Sequence, residues 1–394
     1  MAITINSSPA SYQSVHEDLW FVVSSTNTAQ TSFKYVFDIY IGADIVARIK
    51  SFPEPVTAKG IFNAATIVRN YLTKYFTPNT TTTLFSSISS GIRVAYTVRF
   101  GEEYNGTLYT NLANGSYNAY NYYPNILDGI GAFNGTWYDD YTANILTRRD
   151  INNIITRRTG GRCFVGLLNG DEDNTRDWKF EVTRYNSGSA TTNSSGGTET
   201  ILDFALLELS PAAINAYVGS SFITSATDYY ILEGYQDNVS QFSFRVNILC
   251  EPRYEAIPIH FLNSLGGYDT FNFSLVNREQ RTIERKSYEE IEWQNGATTM
   301  NRVNSSNVFY GGAKPFATSQ TITYTLTSDW LSLTEYNWVK ELIASPEVYF
   351  EDSGYFIPVK VNTNSWQEKK RFADKTYNIT LDVEFGTKTY SQFR

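Results

Sequence analysis

In several stretches of this chain every second residue is aromatic or β-branched, and the residues between are mostly Thr, Ser, Asn or charged. Phe33, Tyr35, Phe37, Ile39 and Ile41 alternate in this way, as do Ile92, Val94, Tyr96, Val98 and Phe100. So do Trp178, Phe180 and Val182, then Phe242, Phe244, Val246 and Ile248, and finally Tyr377, Ile379, Leu381, Val383 and Phe385. A period of two is the mark of a strand with one face buried and one exposed. The pattern predicts a mainly β protein: β-sandwich-like domains with a few short helices packed on the sheets.

With 394 residues the chain exceeds one ordinary core. Pro252 and Pro258 bracket a short connector, which predicts an N-terminal β-rich domain over 1–257 and a C-terminal β-sandwich-like domain over 258–394. Within the first, Ile45, Ala47 and Ile49 answer the strand 33–41 as a hairpin. Asn63 is placed to cap a helix whose stripe is Ile67, Val68, Tyr71, Leu72 and Tyr75, stopped by Pro78. The stretch 104–147, rich in Asn, Tyr and Gly, reads as an interface excursion, with plain irregular surface as the alternative. Asp150, with Ile151, Ile154 and Ile155 behind it, predicts another short helix closed by Gly160-Gly161. Residues 187–198 read as a flexible loop tip. Ser210 followed by Pro211 predicts a helix start. In the C-terminal domain a helix over 332–345 is predicted from a capping box, Ser332 with Glu335. Glu351 to Gly354 marks a hairpin turn.

The residues that most often do chemistry are scarce: two His and two Cys. Cys163 and Cys250 fit no metal-ligand spacing and read as buried thiols. His16 and His260 sit in no recognised catalytic pattern. Glycosidase chemistry needs two facing carboxylates; Glu102-Glu103 and Asp139-Asp140 are the candidates, with solvated acids as the plainer reading. Asp171-Glu-Asp-Asn174 lacks the Gly and terminal Glu of a calcium loop. No phosphate loop or nucleophile–base set stands out. The expectation is therefore not an enzyme, with no catalytic residue, no cofactor and no metal.

A net charge of −8 argues against generic nucleic-acid binding. It suits an acidic wall past which DNA slides, in passing contact only. The N-terminus shows no basic or apolar leader pattern, and no run of about 18 apolar residues occurs. Synthesis in a cytoplasm without membrane insertion is expected. Interface candidates are the aromatics Tyr120, Tyr122, Tyr123 and Trp137 and two arginine islands, Arg148, Arg149, Arg157 and Arg158, then Arg281 and Arg285. For the second island, pairing with nearby Glu279, Glu284, Glu289 and Glu290 is the alternative.

Several segments together resemble a known group. They are Phe261-Leu-Asn-Ser-Leu-Gly-Gly-Tyr-Asp-Thr-Phe271-Asn-Phe273, Trp338-Val-Lys-Glu-Leu-Ile-Ala-Ser-Pro-Glu-Val-Tyr-Phe-Glu-Asp352, Gly354-Tyr-Phe-Ile-Pro-Val359 and Tyr377-Asn-Ile-Thr-Leu-Asp-Val-Glu-Phe385. Val98-Arg-Phe100-Gly-Glu-Glu-Tyr104 fits with them. The chain resembles virion tail proteins of tailed phages of gut Bacteroidales, including the crAss-like podophages. The resemblance implies a structural role in the tail, as a hub or connector-ring subunit. Its partners would be copies of itself in a ring and neighbouring tail and portal-side proteins. A receptor- or carbohydrate-binding tail protein is the rival reading, with Tyr120 and Tyr122 as the sugar platform.

Overall fold

The computed structural model describes residues 3–390 except 73–75, 79–82, 89–91, 126–129, 134–143, 160, 170–177, 195–199, 202–203, 250–253, 255, 297, 303, 306–307, 310 and 364–376. Trp137, Asp139, Asp140, Asp171 to Asn174, Cys250 and Tyr75 lie outside the described residues. The fold is mainly β and sandwich-like, with three short helices among the described residues. The chain divides into two compact units. One is Met1–Glu251 with Phe261–Thr270; the other is Pro252–His260 with Phe271–Arg394.

The first unit holds two cores. The earlier one lies between a three-stranded sheet (Ile3–Ser7, Trp20–Ser25, Gly60–Asn63) and a five-stranded sheet. The latter runs in the order Tyr12–Ser14, Thr107–Tyr120, Arg93–Tyr104, Lys34–Ile41, Asp44–Ser51. The alternating set read from sequence is the buried set: Tyr35, Phe37, Ile39, Val94, Tyr96, Val98 and Phe100 meet Phe21 and Val23. Helix α1 (Ala65–Arg69) adds Ala65 and Val68. It is shorter than predicted, ending at Asn70, and Tyr71 is exposed. The cap position is held by Ala64 rather than the predicted Asn63, with no side-chain cap bond; the Asn63 Oδ1 lies one residue earlier and accepts the amides of Ala65 and Leu19, both at 3.0 Å.

The expected excursion at 104–147 is corrected in part. Its first third is the strand Thr107–Tyr120, which pairs antiparallel with Arg93–Tyr104. The turn is Asn105-Gly106, both with positive φ (51° and 76°), the geometry that Asn-Gly adopts most readily.

The second core lies between two further sheets. One runs Asn144–Leu146, Phe164–Leu168, Phe204–Glu208, Phe85–Ile88; the other runs Ile154–Arg157, Val239–Leu249, Tyr229–Gln236, Trp178–Asn186, Ser189–Ser194. Trp178, Phe180, Val182, Phe244 and Val246 fill it. A Cβ on Gly234 would collide with the Phe242 ring, so the ring lies directly over that glycine. The helix predicted after Asp150 is instead the strand Ile154–Arg157, parallel to Val246–Leu249. Ile154 and Thr156 are buried in alternation, and pairing with a distant strand overrides a local helical stripe. The predicted loop tip at 187–198 is also corrected. Ser187-Gly188 turns the chain, and Ser189–Ser194 pairs back on Trp178–Asn186. Helix α2 (Pro211–Val218) forms as read: Ser210 accepts the Ala213 amide, and Gly219 closes the end at φ 72°.

The second unit is built on one large sheet. Its order is Tyr268–Phe273, Ile257–Leu262, Val348–Asp352, Tyr355–Val361, Thr380–Phe385, Gly312–Thr327, Arg278–Glu290. Its second layer is a helix rather than another sheet. Helix α3 (Leu333–Ala344) has the predicted capping box, with Glu335 N to Ser332 Oγ at 3.2 Å and Ser332 N to Glu335 Oε2 at 3.1 Å. It buries Tyr336, Trp338, Val339 and Leu342; Trp338 meets Phe271 with ring centroids 5.9 Å apart.

The Trp178 side chain is fully buried in the second core. Trp178→Ala is expected to cost about 3–5 kcal/mol by lost burial and a residual cavity. Urea denaturation followed by tyrosine fluorescence should show the midpoint falling.

Candidate interaction arm

The first set of sequence candidates turns inward. Tyr120 is buried, its ring stacked on Phe133 at 4.9 Å. Tyr122 is buried too, its hydroxyl donating to the Gly131 carbonyl at 3.1 Å, and burial raises its pKa. Among the described members of this group, Tyr123 alone faces out, with its ring edge against His16 at 5.3 Å. The proposed sugar platform is therefore corrected: two of its rings serve the fold.

The first arginine island is likewise internal. Arg149 is buried and donates to the Ile155 carbonyl at 3.1 Å and towards Cys163 Sγ at 3.4 Å. Burial pushes the Cys163 thiol pKa up, against the opposing pull of Arg149. Arg158 donates to the carbonyls of Thr227, at 3.2 Å, and Thr224. Arg162 pairs with buried Glu208 at 2.5 Å. Arg148 and Arg157 are half-buried and engaged in polar or electrostatic interactions. These side chains tie loops to the second core, because a guanidinium can satisfy several carbonyls at once.

The paired carboxylates part company as the pleat requires. Glu102 is buried and accepts from Ser25 Oγ at 2.6 Å and Asn27 Nδ2 at 2.9 Å. Glu103 points to the other face, where Lys50 holds its pKa down.

The second island stands on the most exposed element of the described chain. Arg278–Glu290 pairs antiparallel with Gly312–Thr327, from Arg278 opposite Thr325 to Glu290 opposite Gly312. Every residue from Arg278 to Glu289 is exposed, so neither face of this strand is covered among the described residues. Among the described residues, Gly312–Thr327 has partners on its other side only near its base: Thr380–Phe385 over Thr323–Thr327, and Thr389–Tyr390 at Ser319 and Gln320. From Thr318 to Gly312 the arm is thus a two-stranded ribbon, roughly 20 Å long at about 3.3 Å per residue.

A register shift between Lys286 and Ser287 marks a bulge, and there the Tyr288 and Phe316 rings meet at 6.4 Å. Beyond it two short hairpins form the tip, Trp293–Asn295 on Met300–Arg302 and Asn304–Ser305 on Val308–Phe309. Gly311, at φ 103°, lets the chain return; a Cβ there would press on the Glu292 backbone.

Polar pairs hold the base of the arm. Arg281 and Glu279 are 2.5 Å apart, and the Tyr324 hydroxyl donates to Glu279 at 2.8 Å. Near the end, Lys314 pairs with Glu290. Arg285 projects without an ion pair among the described residues. The arm also exposes large apolar side chains: Ile291 is 77% exposed, Met300 58% and Trp293 48%, with Ile283 and Phe316 beside them. A two-stranded ribbon is marginal in water by itself, and exposed Trp, Tyr and Arg are the residues that dominate protein interfaces.

The sequence reading found Arg281 and Arg285 but passed over Ile291, Trp293, Met300 and Phe316. A strand with both faces exposed has no period-2 hydrophobic signal to find.

Among the described residues no group of three or more His, Cys, Asp and Glu side chains is placed to hold a metal ion. No helix among them is long and apolar enough to cross a membrane. No protein-family model matches this sequence, and no curated protein matches it either.

Tyr324 provides a spectroscopic handle on the arm base. Its pKa is pushed up to about 12, chiefly by burial and then by its bond to Glu279, from an ordinary 10.0. Its contribution to stability is complete below pH 10 and is lost as pH rises through about 12. Phenolate absorbance titration of the native chain, minus that of Tyr324→Phe, should isolate one late-titrating hydroxyl.

Proposed function

We propose that this chain is a structural subunit of a tailed-phage virion, a tail hub or connector-ring protein that oligomerises. In this role it forms part of the wall of the tail channel and anchors adjacent tail proteins or fibres. The observation that carries the reading is the arm. A ribbon with both faces open, tipped with Ile291, Trp293 and Met300, is built to be covered by another protein. Sandwich domains joined to a projecting ribbon suit a subunit that holds neighbours in place. Closure into a ring needs one surface of a copy to meet a different surface of the next.

The resemblance to phage tail proteins supports the same reading. Several of its residues hold the fold: Trp338, Leu342, Phe350 and Leu381 are buried in the second unit. The net charge of −8 is compatible with a channel that lets DNA pass without holding it. Function in this reading is mechanical, and the residues that matter are those that bind neighbours.

Quantitative mass spectrometry of purified particles, scaled to the portal protein, tests the role. About six or twelve copies per particle are expected from cyclic closure; absence from particles would overturn it. A second test separates folding from assembly. Replacing residues 291–311 by Asn-Gly should leave the thermal unfolding midpoint nearly unchanged while the variant fails to enter particles.

A further inference from the structure

The second sandwich of the first unit turns one sheet face away from its core. Along Trp178–Asn186, Trp178, Phe180 and Val182 point inward, while Lys179, Glu181, Thr183 and Tyr185 are half-exposed. Tyr235, Glu233, Ile231 and Tyr229 stand opposite these four on the next strand and are half-exposed too. Arg245 lies opposite Ile231 on the strand beyond and is exposed.

At one end of this face flat groups are held in place. Tyr185 and Tyr229 stack at 4.4 Å with their planes 12° apart, and the Arg245 guanidinium lies 4.1 Å from the centre of the Tyr229 ring. Asn247 Oδ1 accepts from Arg245 Nε at 3.3 Å. On the side away from Tyr229, the residue across from Tyr185 is Ala190, whose methyl covers little of a ring. Four residues along, Glu181 stands directly opposite Glu233. Like charges in that arrangement destabilise a strand pair. They are offset only in part: Lys179 lies 3.2 Å from Glu181, and the Tyr235 hydroxyl donates to Glu233 at 3.2 Å. Each carboxylate keeps lone pairs for further donors.

We propose that this face binds a neutral oligosaccharide. The open ring face of Tyr185 takes the C–H face of one sugar ring, and the Glu181–Glu233 pair accepts from the hydroxyls of another. The two features are about 13 Å apart at about 3.3 Å per residue, so the ligand is a chain of linked sugars rather than a single one. The charged groups on the outward positions of the three central strands balance, Lys179 and Arg245 against Glu181 and Glu233. A balanced face with two open carboxylates suits a neutral polyhydroxyl chain and does not suit the phosphates of a nucleic acid. An open sheet face is a platform for oligosaccharides in small β-barrels as well. This site lies apart from the arm, and it does not depend on the ring reading above.

The test uses the full-length chain, a printed array of neutral hexose and pentose oligosaccharides, and two variants, Tyr185→Ala and Glu233→Gln. Saturable binding to at least one oligosaccharide is expected, weakened roughly tenfold in each variant. Glu233→Gln also removes the like-charge opposition, so its thermal unfolding midpoint should hold or rise while its binding falls. A face that only stabilises the sheet would give the first change without the second. No binding anywhere on the array, or binding that either folded variant retains in full, would overturn the proposal. Binding of single-stranded oligothymidine in place of any sugar would overturn it too, and would make the rings a stacking surface for nucleic acid.

Discussion

A pleated strand can hide only alternate side chains, so a β protein is stable in proportion to how well those positions are filled and how completely another layer covers them. In this chain the alternate positions carry rings. Phe37 meets Phe100 edge-on at 5.8 Å, Phe21 meets Tyr117 at 5.3 Å, and Trp178 stacks on Phe180 at 6.1 Å. Such pairs add specificity of geometry to burial. Where the covering layer stops, the same strand architecture becomes a liability. Gly312–Thr327 shows both conditions within one strand: Leu326 is buried at its base, while Phe316 towards its far end is exposed.

The buried charges in the first unit have a complementary role. Asp38 receives a two-pronged contact from Arg48 at 2.7 and 2.8 Å, Glu208 holds Arg162, and Asp269 accepts from Thr147 at 2.8 Å and Asn263 at 3.0 Å. Such groups add little net stability over an apolar replacement, but each is costly to leave unpartnered. They constrain which loops lie where. Asn263 also donates to the Leu146 carbonyl at 2.7 Å, so the hairpin tip at 261–270 is fixed to a strand distant in sequence.

Legibility from sequence followed the physics of each element. Strands with one covered face were readable because burial imposes a period, as at Lys34–Ile41 and Val239–Leu249. Helix α3 was readable because Ser332 and Glu335 satisfy its first amides whatever packs on it. The segment after Asp150 misled because Ile151, Ile154 and Ile155 satisfy a helical stripe, while the deciding partner, Val246–Leu249, lies far along the chain. Asn105-Gly106 was a legible hairpin signal hidden by the Asn- and Tyr-rich residues around it. Tyr120 and Tyr122 misled in another way, since aromatic residues serve cores and interfaces alike and only the fold distinguishes the two. The arm left no period at all, because no described residue covers either face of Arg278–Glu289.

The two cores of the first unit differ in when they can close. All the buried residues of the earlier core lie between Val15 and Ala119. The later core needs Leu84, Trp178 and Val246 together, and its parallel strand Ile154–Arg157 has no partner until Leu249 exists. During synthesis, then, the first sandwich can fold while the rest of the chain is still being made. The second must hold Ile154 and Phe180 unburied for many residues more. The interval between those two events is the period in which this chain is most exposed to wrong partners, and it is set by topology rather than by any single side chain.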